Sequence, residues 1–169
     1  MLNLFNNLTP FIEDCYKEFG VREYSRIMNI SPPTASKLLK DYEKEGLLKI
    51  KKERRYYLFR ANRENEVLKD LSRIYWKQKL KKVLEYLNSE LYYPTIVLFG
   101  SLIKLETKED SDIDLALITK LKKRLNIDIY EKQLKRKIQI FRFNSLLELK
   151  NKELKAGIIN GYILQGELI

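Results

Sequence analysis

A run of apolar residues, Thr95-Ile96-Val97-Leu98-Phe99, stops at Gly100-Ser101, and ten positions later the chain reads Asp112-Ile113-Asp114-Leu115-Ala116-Leu117-Ile118. Each half constrains the fold. The first reads as a short buried strand, rich in β-branched and aromatic residues, that delivers a tight turn. In the second, period-two alternation places Asp112 and Asp114 on one face of a strand and Ile113 and Leu115 on the other. Two carboxylates projecting together repel unless something positive lies between them, so this strand end is expected to form a polar site.

The residue types suit phosphate chemistry. Glycine lets the backbone approach a triphosphate, and a serine hydroxyl with neighbouring N–H groups holds its terminal oxygens. The candidates for nucleotide binding are Gly100, Ser101, Lys104 and Ser111. Asp112 and Asp114 are the candidate metal ligands and catalytic residues. The sequence contains no histidine and a single cysteine, Cys15, so the usual zinc ligand sets and a histidine base are both excluded. Any metal must be held by oxygen, which favours Mg2+ or Mn2+ bound by carboxylates together with the phosphates of an NTP.

The residues Phe-Gly-Ser, ten positions and Asp-Ile-Asp resemble the polymerase-beta-like nucleotidyltransferase superfamily, in particular its minimal stand-alone members, over about Pro94 to Ile169. The resemblance implies transfer of a nucleotidyl group from an NTP to a hydroxyl of a protein or nucleic acid. Minimal nucleotidyltransferases of toxin–antitoxin systems share the spacing and modify a partner toxin, so a protein acceptor of that kind is one expectation. Two positions depart from the family pattern. Leu105 stands where a glycine is usual, and Gln139, in the strand-like Lys137 to Phe143, matches a third carboxylate. A glutamine amide cannot take a proton. Asp128 is not expected to replace it, because Tyr130 to Lys135 reads as a crossover helix with Asp128 near its start. Three outcomes stay open: weak transfer, transfer with another base, or nucleotide binding without turnover.

The first sixty residues read differently. Helices are expected from about Pro10 to Phe19, from Val21 to Met28, and from the N-cap Ser31 with Pro32 and Pro33 in its first turn. In the third, Ala35, Leu38, Leu39 and Tyr42 face a core, leaving Thr34, Lys37, Lys40 and Lys44 outside. A hairpin follows: a strand from Leu47 to Lys51, a charged tip from Lys52 to Arg55, and a strand from Tyr56 to Phe59. The stretch LLKDYEKEGLLKIKKERRYYLF resembles the recognition helix and wing of winged-helix regulators, over roughly residues 10 to 62. That resemblance implies double-stranded DNA as partner, with Thr34, Lys37, Lys40 and Lys44 at the major groove and Lys51, Lys52, Arg54 and Arg55 at phosphates. Winged helices also dock proteins, and a solvated charged face is the plainer alternative.

The expected organisation is therefore α/β, in the α+β sense: a winged helix over 1–63, a helical connector over 64–91 and a nucleotidyltransferase-like domain with a short mixed sheet over 92–169. In the connector, Val67, Leu68, Leu71, Ile74 and Tyr75 form one stripe and Leu80, Val83, Leu84 and Leu87 a second. It either bridges the domains or forms a homodimer seam. The formal charge of +10 points to a polyanion, and between Lys120 and Arg142 nine basic residues face two acidic ones, either a phosphate cradle or a solvated face. With no apolar run of membrane-spanning length and no leader-like start at Met1 to Asn7, a cytoplasmic protein with no membrane partner is expected. A DNA-binding regulator that keeps a nucleotide-binding shape without turnover is the competing class.

Overall fold

The computed structural model describes residues 2–168. It divides into two compact units, the first comprising the chain up to Leu71 together with Leu105–Glu109, the second Ser72–Lys104 together with Asp110 onward.

The first unit opens with α1 (Leu2–Glu13) and a two-residue strand, β1 (Phe19–Gly20), followed by α2 (Val21–Met28), α3 (Pro32–Lys44), β2 (Leu48–Glu53) and β3 (Tyr56–Ala61). The first helix lies eight residues earlier than the sequence suggests, and Pro10 is inside it, not at its start. Phe5, Leu8, Phe11 and Ile12 share its buried side, a helical spacing that outweighs the proline. Asn29 then turns left-handed after α2, and the Ser31 side chain accepts the Thr34 N–H to cap α3. Ala35, Leu39 and Tyr42 are buried as expected, whereas Leu38 is only partly so.

The sheet of this unit has the order β1-β3-β2, all antiparallel. Glu53 pairs with Tyr56, so the hairpin tip is only Arg54 and Arg55, with Arg54 at φ 54°. Lys52 belongs to the ladder opposite Tyr57 and not to the tip, because the strands run two residues further than their apolar pattern. Phe11, Phe19 and Tyr24 pack ring on ring at 5.1 and 5.7 Å, and the Tyr24 hydroxyl donates to the Asn7 carbonyl. Leu105 and Thr107 are fully buried in this unit, where the Thr107 carbonyl accepts the Cys15 N–H at 2.8 Å and the Leu105 carbonyl accepts Arg63 Nε at 3.3 Å.

The unit boundary falls within α4 (Glu66–Lys79), which is followed by α5 (Lys81–Leu91) after a break at Leu80. The buried side is Leu68, Ser72, Trp76, Leu80, Val83 and Leu87. This corrects the first connector stripe, since Val67 and Ile74 are exposed and Trp76 takes the central place.

The remaining elements are β4 (Thr95–Phe99), β5 (Ile113–Ile118), α6 (Asp128–Leu134), β6 (Ile138–Phe143), α7 (Lys152–Ile159) and β7 (Tyr162–Gln165). They form a mixed sheet of order β6-β5-β4-β7 in which only the β5–β6 pair is parallel. That pair needs a crossover, which α6 supplies. One sheet face carries Val97, Phe99 and Ala116 against Leu149 and Ile158, with Phe141 and Phe143 alongside. The alternate residues Ile96, Leu98, Ile113, Leu115 and Leu117 are buried as well, so the sheet is covered on both faces.

Candidate active site

The register brings the polar residues together at one end of the mixed sheet. Phe99 pairs with Asp114 across β4 and β5, and Asp114 with Gln139 across β5 and β6. Paired residues point to the same face, so Asp112, Asp114 and Gln139 stand beyond the edge of the core face built on Phe99 and Phe141, whose rings meet at 5.3 Å. Asp112 itself lies one residue before the strand.

Gly100 follows β4 directly at φ 78°, a conformation that favours glycine. A Cβ there would lie 2.2 Å from Asp114 Oδ2, so the turn and the carboxylate are in direct apposition. Ser101 begins the turn and its carbonyl accepts the Lys104 N–H at 3.2 Å. Leu102 and Ile103 anchor it inward, with Ser72 Oγ donating to the Leu102 carbonyl, while Lys104 is exposed. Leu105 adopts φ 57° and buries its side chain. The backbone is therefore left-handed there without a glycine.

Two main-chain anchors frame Asp112. The Ser111 carbonyl accepts Arg136 Nη1 at 2.7 Å, and the Ile113 N–H donates to the Lys137 carbonyl at 2.8 Å. Arg136 is buried with its guanidinium 5.2 Å from the centre of the Trp76 ring. Neither Arg136 nor Trp76 stood out in the sequence: the arginine was one of nine basic residues, and nothing local marked it as buried. The Gln139 amide nitrogen donates to Asp112 Oδ2. Burial first, and the Asp112 charge second, raise the Asp114 pKa above its ordinary value.

Asp128 opens α6 and lines a cavity of about 500 Å3 with Glu131, Lys132, Lys135, Arg136 and Lys137. Gly100, Asp112, Asp114 and Gln139 do not line it. Among the described residues no group of three or more acidic, cysteine or histidine side chains forms a metal cage. The donors at the sheet end are two carboxylates and one amide.

The sequence profile described as "Polymerase beta, Nucleotidyltransferase" matches residues 78–168, more than half of the chain. The chain belongs to the polymerase beta nucleotidyltransferase family. No curated protein and no solved structure matches it. In this nucleotidyltransferase domain the matched segment contains the Gly-Ser turn, both aspartates and Gln139, and begins within α4 two residues after Trp76.

The first unit carries the other candidate residues. Thr34, Lys37, Lys40 and Lys44 are exposed along α3, opposite its buried side. Lys51 is engaged by Glu18 at 3.6 Å and Glu53 at 3.5 Å. Lys52, Arg54 and Arg55 are exposed at and beside the hairpin tip. No described helix is long and apolar enough to cross a membrane.

Proposed function

We propose that this protein transfers a nucleotidyl group from an NTP to a hydroxyl of a protein or nucleic acid, and that its first unit is a winged helix that binds double-stranded DNA. The observation that carries the transferase reading is the apposition of Gly100 to the Asp114 carboxylate, which leaves the turn no side chain between a phosphate chain and the acids. Gly100 and Ser101 then bind phosphate oxygens, with Lys104 and Ser111 at the margin. Asp112 and Asp114 hold Mg2+ or Mn2+. The donor set fits such an ion: two neighbouring carboxylates whose charges repel each other supply hard oxygens, and an ion of this kind takes its remaining ligands from phosphates and water. When bound, the ion would neutralise charge that develops at the α-phosphate of the transferred nucleotidyl group and on the pyrophosphate that leaves. The chain's own part is to hold Asp112 between the Arg136 and Lys137 anchors and to keep water from the Phe99 side of Asp114.

The winged-helix reading is supported by the order of three helices and a hairpin, by the capped α3 with its outward Thr34, Lys37, Lys40 and Lys44, and by Arg54 and Arg55 at the tip. A helix face meets base edges and a hairpin tip meets phosphates in such modules.

Gln139 supports a second reading. Its amide nitrogen already satisfies Asp112, and it has no proton-accepting capacity at the place of a third acid. A regulator that binds nucleotide without turnover is consistent with that. Incubation of the full chain with each radiolabelled NTP, Mg2+ or Mn2+ and host lysate, beside Asp112→Asn/Asp114→Asn, separates the two. Label transfer lost in the variant supports the enzyme; metal-dependent nucleotide binding without transfer supports the regulator.

A further inference from the structure

We propose that the end of the mixed sheet away from the aspartates is a platform for single-stranded nucleic acid, with Tyr92 and Tyr93 stacking on bases and the segment 119–127 following the phosphates. This goes beyond the transferase reading and holds whether or not Asp112 and Asp114 support turnover.

Tyr92 and Tyr93 close α5 at φ 51° and 60°, two consecutive bulky residues in the left-handed region. Asparagine or glycine meets that demand at lower conformational cost. Both tyrosines are 81% exposed, so the rings add nothing to the core in return. The backbone is fixed all the same, because both N–H groups donate to the Asn88 carbonyl and the following Pro94 is buried. Strain held in place by a rigid frame, with two aromatic faces open to solvent, points to contact with another molecule.

The neighbouring charge identifies that molecule. Residues 119–127 have no helix or strand of their own, and Lys120, Lys122, Lys123 and Arg124 fall within them, all exposed. Lys123 Nζ reaches Glu90 Oε2 at 2.7 Å, which ties the segment to the end of α5 and brings it near Tyr92. Arg142 Nη1 donates to the Lys123 carbonyl and the Asn126 N–H to the Tyr86 hydroxyl, so the segment is pinned at two points. Of the acids at this end, Glu90 pairs with Lys123, Glu148 lies near Lys122, and the carbonyl of the exposed Glu167 accepts the Thr95 hydroxyl, so the cations outnumber them. An acidic peptide offers charge but no flat faces for two exposed rings, and a duplex hides its base faces in the stack. A single strand offers both phosphates and unstacked bases. Since Thr95 pairs with Ile118 and Phe99 with Asp114, the platform and the aspartates lie at opposite ends of β4, about 13 Å apart at 3.3 Å per residue.

The test is fluorescence anisotropy of the full chain with a labelled twelve-nucleotide oligouridylate, the matching oligothymidylate and a duplex. Tyr92→Asn/Tyr93→Asn, in which asparagine accepts the left-handed backbone, is expected to weaken single-strand binding about tenfold or more and leave duplex binding unchanged. Tyr92→Phe/Tyr93→Phe is expected to retain it, which separates stacking from loss of fold, and Lys120→Glu/Arg124→Glu to weaken it in a salt-dependent way. Three results overturn the proposal: wild-type affinity in the asparagine variant, equal loss in the phenylalanine variant, or complete displacement of the strand by polyglutamate at matched charge. Single-strand binding abolished by Arg54→Glu/Arg55→Glu but untouched by the tyrosine variants overturns it too.

Discussion

The Cα of Gly100 lies so close to the Asp114 carboxylate that a methyl group on it would sit 2.2 Å from Oδ2. Gly100→Ala therefore meets two penalties: about 1–2 kcal/mol for a left-handed backbone with a Cβ, and displacement of the acid. The expected result is a lowered melting temperature and loss of metal-dependent nucleotide binding. In Gly100→Ala/Asp114→Ala the clash disappears, so part of the stability returns while binding does not. Thermal melts and nucleotide titrations on the three variants read this directly.

Asp114 carries a proton more readily in the folded chain than in the unfolded one, because burial and the Asp112 charge both disfavour its ionised form. Its contribution to stability thus falls as pH rises from the unfolded carboxylate value, about 3.9, through the raised folded value, and the full cost is present at neutral pH. Asp114→Asn is expected to melt a few degrees above the wild type at pH 7, with the gap closing as pH falls below 4. Millimolar Mg2+ should raise the melting temperature of the wild type and leave the variant unmoved. Melts across pH, with and without the ion, check both statements.

Gln139→Glu changes one atom type at constant length and replaces a donor to Asp112 by a third negative charge. Without metal, destabilisation of about 1–3 kcal/mol is expected from the lost charge-assisted hydrogen bond and the new repulsion. Mn2+ should restore the loss. If nucleotidyl transfer is limited by the missing proton acceptor, its rate should rise by about 10²-fold or more, the scale of general-base catalysis. Single-turnover label transfer by the two proteins measures it.

Arg54 and Arg55 form the whole two-residue hairpin tip and are both exposed. Arg54→Glu/Arg55→Glu is expected to weaken duplex DNA binding tenfold or more at low salt and to flatten the slope of log affinity against log salt by roughly two, one for each phosphate contact removed. An unchanged salt slope would falsify a phosphate role for the tip.

Cys15 is buried, and burial pushes its thiol up to about 11 despite the opposing influence of Thr107 and Arg63 on the sulfur. Its thiolate is scarce at neutral pH, so alkylation by iodoacetamide should be slow in the native chain and rapid in urea. Mass spectrometry over a time course distinguishes the two states.

The parts of the fold that were legible in the sequence are those where one local rule dominates. Alternation identified β5 with Asp114 in it, although Asp112 falls one residue before the strand, and Ser31 with Pro32 and Pro33 marked the start of α3. The placement of Gln139 beside Asp114 rests on the parallel register of β6 on β5, which the apolar pattern of a single strand does not specify. Where two rules competed, the local one misled. Pro10 looked like the start of a helix that already includes it, and Val67 and Ile74 looked like core although Ser72 and Trp76 occupy the buried side of α4. The two-residue strand β1 has too little sequence to show a period, and it exists because β3 offers it a partner. Arg136 reads as one more surface cation until the Ser111 carbonyl and the Trp76 ring are brought to it by residues 25 and 60 positions away.

Leu105–Glu109 lies between the Gly-Ser turn and the aspartates in the sequence, yet it clusters with the first unit. Synthesis runs from the N-terminus, so the partners of Cys15 and Arg63 are made some forty to ninety residues after them. The first unit cannot complete its packing on the ribosome until Glu109 has emerged, and by then β4 and both connector helices are already outside. Folding of the two halves is thereby interleaved in time, and a ribosome paused before residue 105 would hold a first unit with an open seam.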